Sequence, residues 1–141
     1  MNSNDSIIQT ALPHRYPFLM VDKVIEIVEG KKVKGLKMIT ENEWYISNDH
    51  TFMPNILVIE ALAQLGAFAS LEDDNHLGFL TSIKGVEFIR EASVGDQVHL
   101  FYEVIRMKKG FVLGKGYAEV NGKAIVKVDE IVIYQTSSSN K

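Results

Sequence analysis

The longest apolar stretch of the chain spans residues 53–71, and one acid, Glu60, lies near its middle. Pro54 marks the predicted first position of a helix, because proline lacks the N–H that would have no acceptor there. Ala, Leu and Gln, which favour helix, dominate the residues after Pro54. Apolar residues surround this helix instead of keeping to one face, so we predict a central helix buried on most sides. Its polar interruptions argue against a bilayer span of about 20 residues.

Most of the remaining chain alternates between segments rich in β-branched or aromatic residues and short turns. Residues 24–29 and 33–39 predict a hairpin with a solvated, lysine-bearing face. Residues 40–52 predict a structured loop that leads into the helix. The pair Asn121-Gly122 predicts a type I′ hairpin turn. The later predicted strands cover residues 79–83, 86–90, 98–107, 111–120 and 123–135.

Short connections favour antiparallel neighbours, so the elements predict an α+β protein in which a curved antiparallel sheet wraps the long helix. This is the hot-dog fold. We expect residues 1–141 to form one domain, with loose tails at 1–5 and 137–141. A sheet of this kind has exposed edges, so a homodimer that continues the sheet across two chains is also expected.

Composition narrows the possible functions. The chain has 141 residues, 46% of them hydrophobic and 23% charged, with a net charge of -3. This balance argues against a general nucleic-acid or anionic-membrane surface. Cysteine is absent, which excludes disulfides, thiol nucleophiles and thiolate metal sites. The polar start has no signal-peptide apolar core, so a cytoplasmic protein is expected.

Glu60 is the first candidate for chemistry. A buried carboxylate must be paired, hydrogen-bonded or protonated, and such groups serve in acid–base catalysis. A wet interface or a lysine partner would explain it equally well. Gln64 lies one helical turn later on the same face. It fits a side chain that hydrogen-bonds Glu60 or lines the same pocket. It fits at least as well a structural amide bonded to a loop backbone.

His50, close to the predicted helix start, is the second candidate. Histidine acts as acid or base near neutral pH, although an exposed loop histidine is the plainer interpretation. Asp49 fits a helix-capping acid. The N–H groups of Asn55 and Ile56 are suited to bind a carbonyl that gains negative charge.

The other histidines give weaker signals. His14 is interpreted as packed or as a pocket wall, and His76 and His99 as surface or packing residues. The four histidines show no metal-ligand spacing, so no metal is expected. Serine-hydrolase, P-loop and dinucleotide motifs are also absent from the sequence.

Three blocks of sequence resemble the (3R)-hydroxyacyl-acyl-carrier-protein dehydratases of fatty-acid synthesis, the FabZ/FabA-type hot-dog proteins. Residues 12–22 read Leu-Pro-His-Arg-Tyr-Pro-Phe-Leu-Met-Val-Asp, and residues 53–64 run from Met-Pro to Glu-Ala-Leu-Ala-Gln. The third block has Phe-Leu-Thr-Ser-Ile at 79–83, then Phe88, then Gly-Asp-Gln-Val at 95–98. The blocks occur in the family's order, and the resemblance spans residues 7–135.

The resemblance implies a homodimer, often a trimer of dimers, with an acyl tunnel at the dimer interface. It implies that a histidine of one subunit removes a C2 proton while a glutamate of the other, here Glu60, helps the 3-hydroxyl leave. It further implies an acyl-carrier-protein partner and no metal or organic cofactor. We expect a substrate site that includes His14, Asn55, Ile56, Gln64 and Phe79. Three basic residues are candidates to meet the acidic carrier, although each fits a solvated surface charge equally well: Arg15, Lys23 and Lys84.

One departure concerns the histidine. The family usually has His-Phe-Pro-Gly-x-Pro-x-Met-Pro-Gly before the helix, whereas residues 48–55 here read Asn-Asp-His-Thr-Phe-Met-Pro-Asn. The loop is shorter, and the family histidine aligns with Asp49 or, with one more gap, with His50. From the resemblance as a whole we predict a dehydratase with His50 as base and Glu60 as acid. Two alternatives stay open: a hot-dog thioesterase in which Glu60 activates water, and a non-catalytic acyl-binding subunit.

Overall fold

The computed structural model of the protein describes residues 19–69 and 76–137, with the backbone alone for residues 76–78 and 135–137. Several predictions lie outside the described residues: the tail at 1–5, the candidate residues His14 and Arg15, and the end of the chain after residue 137. The side chain of His76 also lies outside them.

A single α-helix, α1 (Asn55–Gly66), runs through the centre of the described structure and tightens into a 3₁₀ turn at Ala67–Ala69. Pro54 is the N-cap and not, as predicted, the first helical residue. Its extended backbone (ψ 137°) places it just before the helix. The suggested cap by Asp49 is wrong, because the cap has no side-chain hydrogen bond and Asp49 is exposed.

The described structure has eight strands, with these bounds: β1 Lys23–Val28, β2 Lys32–Met38, β3 Phe52–Met53, β4 His76–Phe88, β5 Ala92–Ser93, β6 Gln97–Lys108, β7 Phe111–Val120 and β8 Lys123–Ser137. Six of them form the main antiparallel sheet, in the spatial order β1-β2-β6-β7-β8-β4. The two short strands form a separate antiparallel sheet: β3, just before the helix, pairs with β5, just before β6.

The turns behave largely as the sequence predicts. The β1–β2 hairpin is confirmed. At the β7–β8 turn, Asn121 and Gly122 have φ values of 54° and 79°, as a type I′ turn requires. The two strands predicted at 79–83 and 86–90 are instead one strand, β4. Gly85 adopts a φ of 69° without leaving the ladder, since Lys84 still faces Glu130 and Val86 faces Val128.

The helix packs on the inner face of the sheet, which confirms the predicted α+β arrangement. Val58, Leu62 and Leu65 of α1 are fully buried, as are Leu100 and Tyr102 of β6. Among the described residues, no helix is both long and apolar enough to cross a bilayer.

Lys37 contradicts the prediction of a lysine-bearing solvated face. Lys34 is half-buried on the outer face, but Lys37 is only 4% exposed and lies on the inner face with Val33 and Gly35. The reason is the strand period of two: residues an odd number apart along a strand point to opposite faces.

Candidate active site

Glu60 is half-buried on α1, and Gln64 holds one of its carboxylate oxygens. Gln64 Nε2 donates a hydrogen bond to Glu60 Oε2 at 3.2 Å. Gln64 Oε1 accepts one from the Met20 backbone N–H at 2.7 Å. A backbone N–H only donates, so Oε1 must face Met20 and the amide's donor end must face Glu60. The predicted hydrogen bond of Gln64 to Glu60 and its predicted bond to a loop backbone are both present, and its place in a substrate pocket stays a prediction.

The segment that supplies the Met20 N–H is buried and is hydrogen-bonded to β2. Met20 and Val21 are 3% and 0% exposed. Asp22 N–H donates to Leu36 O at 2.9 Å, and Asp22 Oδ2 accepts from Met38 N at 2.7 Å. Since β2 holds this segment, the Gln64 amide has a stationary partner, and the orientation of the Glu60 carboxylate is set by packed structure.

His50 lies at the end of a tight backbone turn. Ser47 and His50 exchange backbone hydrogen bonds at 2.9 and 3.2 Å. His50 Nδ1 lies 3.0 Å from the Tyr45 carbonyl oxygen, and its ring lies 4.4 Å from the Phe52 ring. A carbonyl only accepts, so Nδ1 carries the hydrogen. In the neutral ring this leaves the lone pair on Nε2, which is the form that a general base needs.

Tyr45, which supplies that carbonyl, is itself 9% exposed. Burial, together with the nearby carboxylates of Glu43 and Asp22, raises the pKa of the Tyr45 phenol above its ordinary value. The phenol therefore stays neutral, and its hydroxyl has no hydrogen-bond partner in the described structure. The ring acts as a buried packing element that holds the backbone next to His50.

The start of α1 offers donors to a ligand. The N–H groups of Asn55 and Ile56 lie too near the helix start to have an acceptor carbonyl within the helix. The next two N–H groups, of Leu57 and Val58, both donate to the Pro54 carbonyl oxygen, at 2.9 and 3.3 Å. Asn55 Oδ1 is buried and lacks a hydrogen-bond partner among the described residues. Such an end is suited to a carbonyl or anion.

Other predicted site residues lie apart from these contacts. Phe79 lies on the edge strand β4, opposite Tyr134, and is 47% exposed. Lys23 and Lys84 are exposed, and His99 is half-buried on β6. The contacts described for His50 go to Tyr45 and Phe52, not to Glu60. In residues 19–69 and 76–137, no group of three or more His, Asp and Glu is placed to hold a metal ion.

Sequence analysis missed Lys37, Glu43 and the role of the Tyr45 carbonyl. The alternation of β2 would have placed Lys37 on the inner face beside Val33 and Gly35. Nothing in the sequence pattern points to a contact between a loop carbonyl and His50, because it depends on the path of an irregular backbone.

A long helix wrapped by a curved antiparallel sheet defines the hot-dog class of proteins, and this chain has that architecture. A solved structure titled as the dehydratase heterocomplex ApeI:P from Xenorhabdus doucetiae has this fold, with a TM-score of 0.79. The match covers 94% of this chain and 92% of that one, at 17% sequence identity. At that identity the likeness concerns the fold alone.

Sequence comparison gives the family. The family model described as a FabA-like domain matches residues 12–129, and the chain belongs to this family. It is 46% identical over 124 residues to the uncharacterized protein YcsD of Bacillus subtilis, covering 88% of this chain and 95% of that one. It is 41% identical over 128 residues to the 3-hydroxyacyl-[acyl-carrier-protein] dehydratase FabZ of the same organism, covering 86% and 91%. The resemblance seen in the sequence is thereby confirmed.

Proposed function

We propose that the protein is a dehydratase that removes water from a 3-hydroxyacyl thioester on acyl carrier protein to give the trans-2-enoyl thioester. Its family and its identity to FabZ dehydratases support a hydro-lyase. The observation that carries the proposal is the contact of His50 Nδ1 with the Tyr45 carbonyl. The contact leaves the lone pair of the neutral ring on Nε2, and His50 is half-buried whereas Asp49 is exposed. Both observations support His50 as the proposed base.

The elimination begins at C2 of the thioester. His50 Nε2 takes a proton from C2, and that C–H electron pair forms the C2=C3 bond. The C3–O bond breaks, and the Glu60 carboxyl gives its proton to the departing hydroxyl, which leaves as water. The Asn55 and Ile56 N–H groups stabilise negative charge on the thioester oxygen. Gln64 orients Glu60, and no metal or organic cofactor takes part.

The proposal includes a homodimer, because the edge strand β4 presents large apolar side chains. Phe79, Leu80 and Phe88 are 47%, 37% and 52% exposed. A long apolar edge is normally covered by another strand. Pairing of β4 with its copy would join the sheets of two chains and let His50 of one serve Glu60 of the other. Further assembly into a trimer of dimers is compatible with this arrangement.

The test is hydration of a crotonyl thioester, the reverse reaction, followed by loss of enoyl absorbance. His50→Ala and Glu60→Gln are each expected to lower kcat/KM by roughly 100-fold or more, the usual contribution of a general acid or base. Asp49→Asn is the matched control and is expected to keep wild-type activity.

Three results would contradict the proposal. The first is no hydration or dehydration by the wild type at any acyl chain length. The second is loss of activity in Asp49→Asn together with an active His50→Ala. The third is release of free thiol without hydration, which would indicate thioester hydrolysis. Binding of acyl carrier protein without any turnover would assign the protein to the non-catalytic alternative.

A further inference from the structure

Lys37 is a cation inside the protein, on the face of β2 that packs towards the helix. Its side chain is 6% exposed. Burying an ammonium group is costly unless it is paired and hydrogen-bonded. Lys37 Nζ lies 3.1 Å from Glu43 Oε1 and 3.4 Å from Asp22 Oδ1. We call these three residues the Lys37 cluster, and we propose, resting on the function proposed above, that Lys37 is a positioning residue for both His50 and Glu60.

The first branch runs through Glu43 to His50. The second carboxylate oxygen of Glu43 accepts from the Thr40 hydroxyl at 3.1 Å and from the Thr40 N–H at 3.3 Å. The Glu43 backbone carbonyl accepts from Ile46 N at 3.0 Å. Glu43 is thus bonded at its side chain and at its backbone to the turn that contains Tyr45. The Tyr45 carbonyl is the partner of His50 Nδ1.

The second branch runs through Asp22 to Glu60. Asp22 is bonded to β2 through Leu36 and Met38, and it lies two residues after Met20. The Met20 N–H binds Gln64, which in turn binds Glu60. Lys37 therefore joins the two stretches of backbone that fix the proposed base and the proposed acid. It touches neither group and acts through their neighbours.

The energetics favour a positioning role over a simple gain in stability. A buried ion pair contributes little net stability, but removing one partner leaves the charge of the other uncompensated. Here the Glu43 side chain is 14% exposed and that of Asp22 is 41% exposed. Without Lys37, these carboxylates can turn towards water, and the Thr40–Ile46 turn would move with Glu43. A displacement of about 1 Å at a catalytic group costs roughly 100-fold in rate.

The test replaces Lys37 by methionine, which keeps the length of the side chain and removes its charge. Lys34→Met is the matched control, because Lys34 lies on the same strand, faces outward and pairs with exposed Glu26 at 3.7 Å. Its ammonium also lies over the outward-facing Phe101 ring, 5.8 Å from the ring centroid. The primary measurement is the NMR signal of the His50 Nδ1–H proton and its exchange with water, which needs no activity. The side-chain amide of Gln64 reports on the second branch in the same samples.

In Lys37→Met that remains folded by circular dichroism, we expect the His50 Nδ1–H signal to exchange faster or disappear and the Gln64 amide signals to move. We expect kcat to fall by roughly 10- to 100-fold with little change in KM. Lys34→Met should match the wild type in all these properties. A folded Lys37→Met with unchanged His50 and Gln64 signals would overturn the proposal, and so would equal losses in Lys34→Met.

If Lys37→Met does not fold, Glu43→Gln tests the first branch, since it removes the charge that faces Lys37 and keeps the volume. Faster exchange of the His50 Nδ1–H in Glu43→Gln supports the proposal, and unchanged exchange refutes it. These NMR results stand even if the wild type proves to have no dehydratase activity. Failure of the proposed function is therefore separable from failure of the positioning role.

Discussion

Replacing Gln64 by methionine tests how much the fold depends on the side-chain amide that links the helix to the backbone at Met20. Gln64 is only 2% exposed. Methionine has nearly the same volume as glutamine, so the packing around this side chain is preserved. The hydrogen bonds of the amide to the Met20 N–H and to Glu60 are lost. The Met20 N–H, on a residue that is 3% exposed, is left without its partner.

The expected loss of stability is set by these two hydrogen bonds. A buried donor left unpaired costs about 1–3 kcal/mol. The Glu60 carboxylate is only half-buried, so water can replace the hydrogen bond that it accepts from Gln64. Loss of that bond therefore costs less than loss of the Met20 bond. We expect the free energy of unfolding to fall by about 2–3 kcal/mol. If the free energy of unfolding falls by roughly 2 kcal/mol per molar urea, the urea concentration at the unfolding midpoint should drop by about 1 M.

The assay is equilibrium unfolding in urea, followed by circular dichroism. Gln97→Met, at the exposed start of β6, is the matched control and should change stability by no more than about 0.5 kcal/mol. The expectation is refuted if Gln64→Met is no less stable than Gln97→Met. Should Gln64→Met be folded and still fully active, Gln64 would have no part in orienting Glu60.

Two further predictions concern the core and the sheet edge. Burial raises the pKa of the Tyr102 phenol above its ordinary value, so the unfolded chain loses its proton first and stability falls as pH rises past about 10. Tyr102→Phe loses the hydrogen bond to the Ile131 carbonyl oxygen, so its free energy of unfolding at neutral pH should be about 1 kcal/mol lower. Measured by urea titration, its free energy of unfolding should fall less steeply with rising pH than that of the wild type. Parallel falls in the two proteins would contradict this. Leu80→Lys on the edge strand should shift sedimentation towards monomer, whereas Ile105→Lys, 51% exposed on the interior strand β6, should not; equal behaviour would argue against pairing through β4.

The central helix and the proximity of Glu60 and Gln64 were predictable because their signals are local. Glu60 and Gln64 are four residues apart, and that spacing on a helix brings side chains together without reference to the rest of the fold. The Asn121-Gly122 turn was predictable for the same reason, since both residues tolerate the positive φ that the turn requires.

The features that the sequence did not predict depend on distant or irregular backbone. The Met20–Gln64 bond joins residues 44 positions apart. Gly85 looks like a break between strands, yet the ladder with β8 continues through it. Whether such a glycine ends a strand is decided by the partner strand, which the local sequence does not contain. Lys37 was misplaced for another reason: lysine is usually exposed, and the period of β2 outweighs that preference here.

The shorter loop before the helix bears on whether His50 is held firmly enough to act as a base. On one side, the Ser47–His50 backbone pair and the Tyr45 carbonyl hold it. On the other, Thr51 O accepts from Val94 N at 3.0 Å, and Phe52 and Met53 pair with Ser93 and Ala92. His50 thus lies between two hydrogen-bonded stretches of chain. A short loop fixed at both ends has less freedom to lose on binding substrate than a long one, so the departure from the family pattern is compatible with a positioned base.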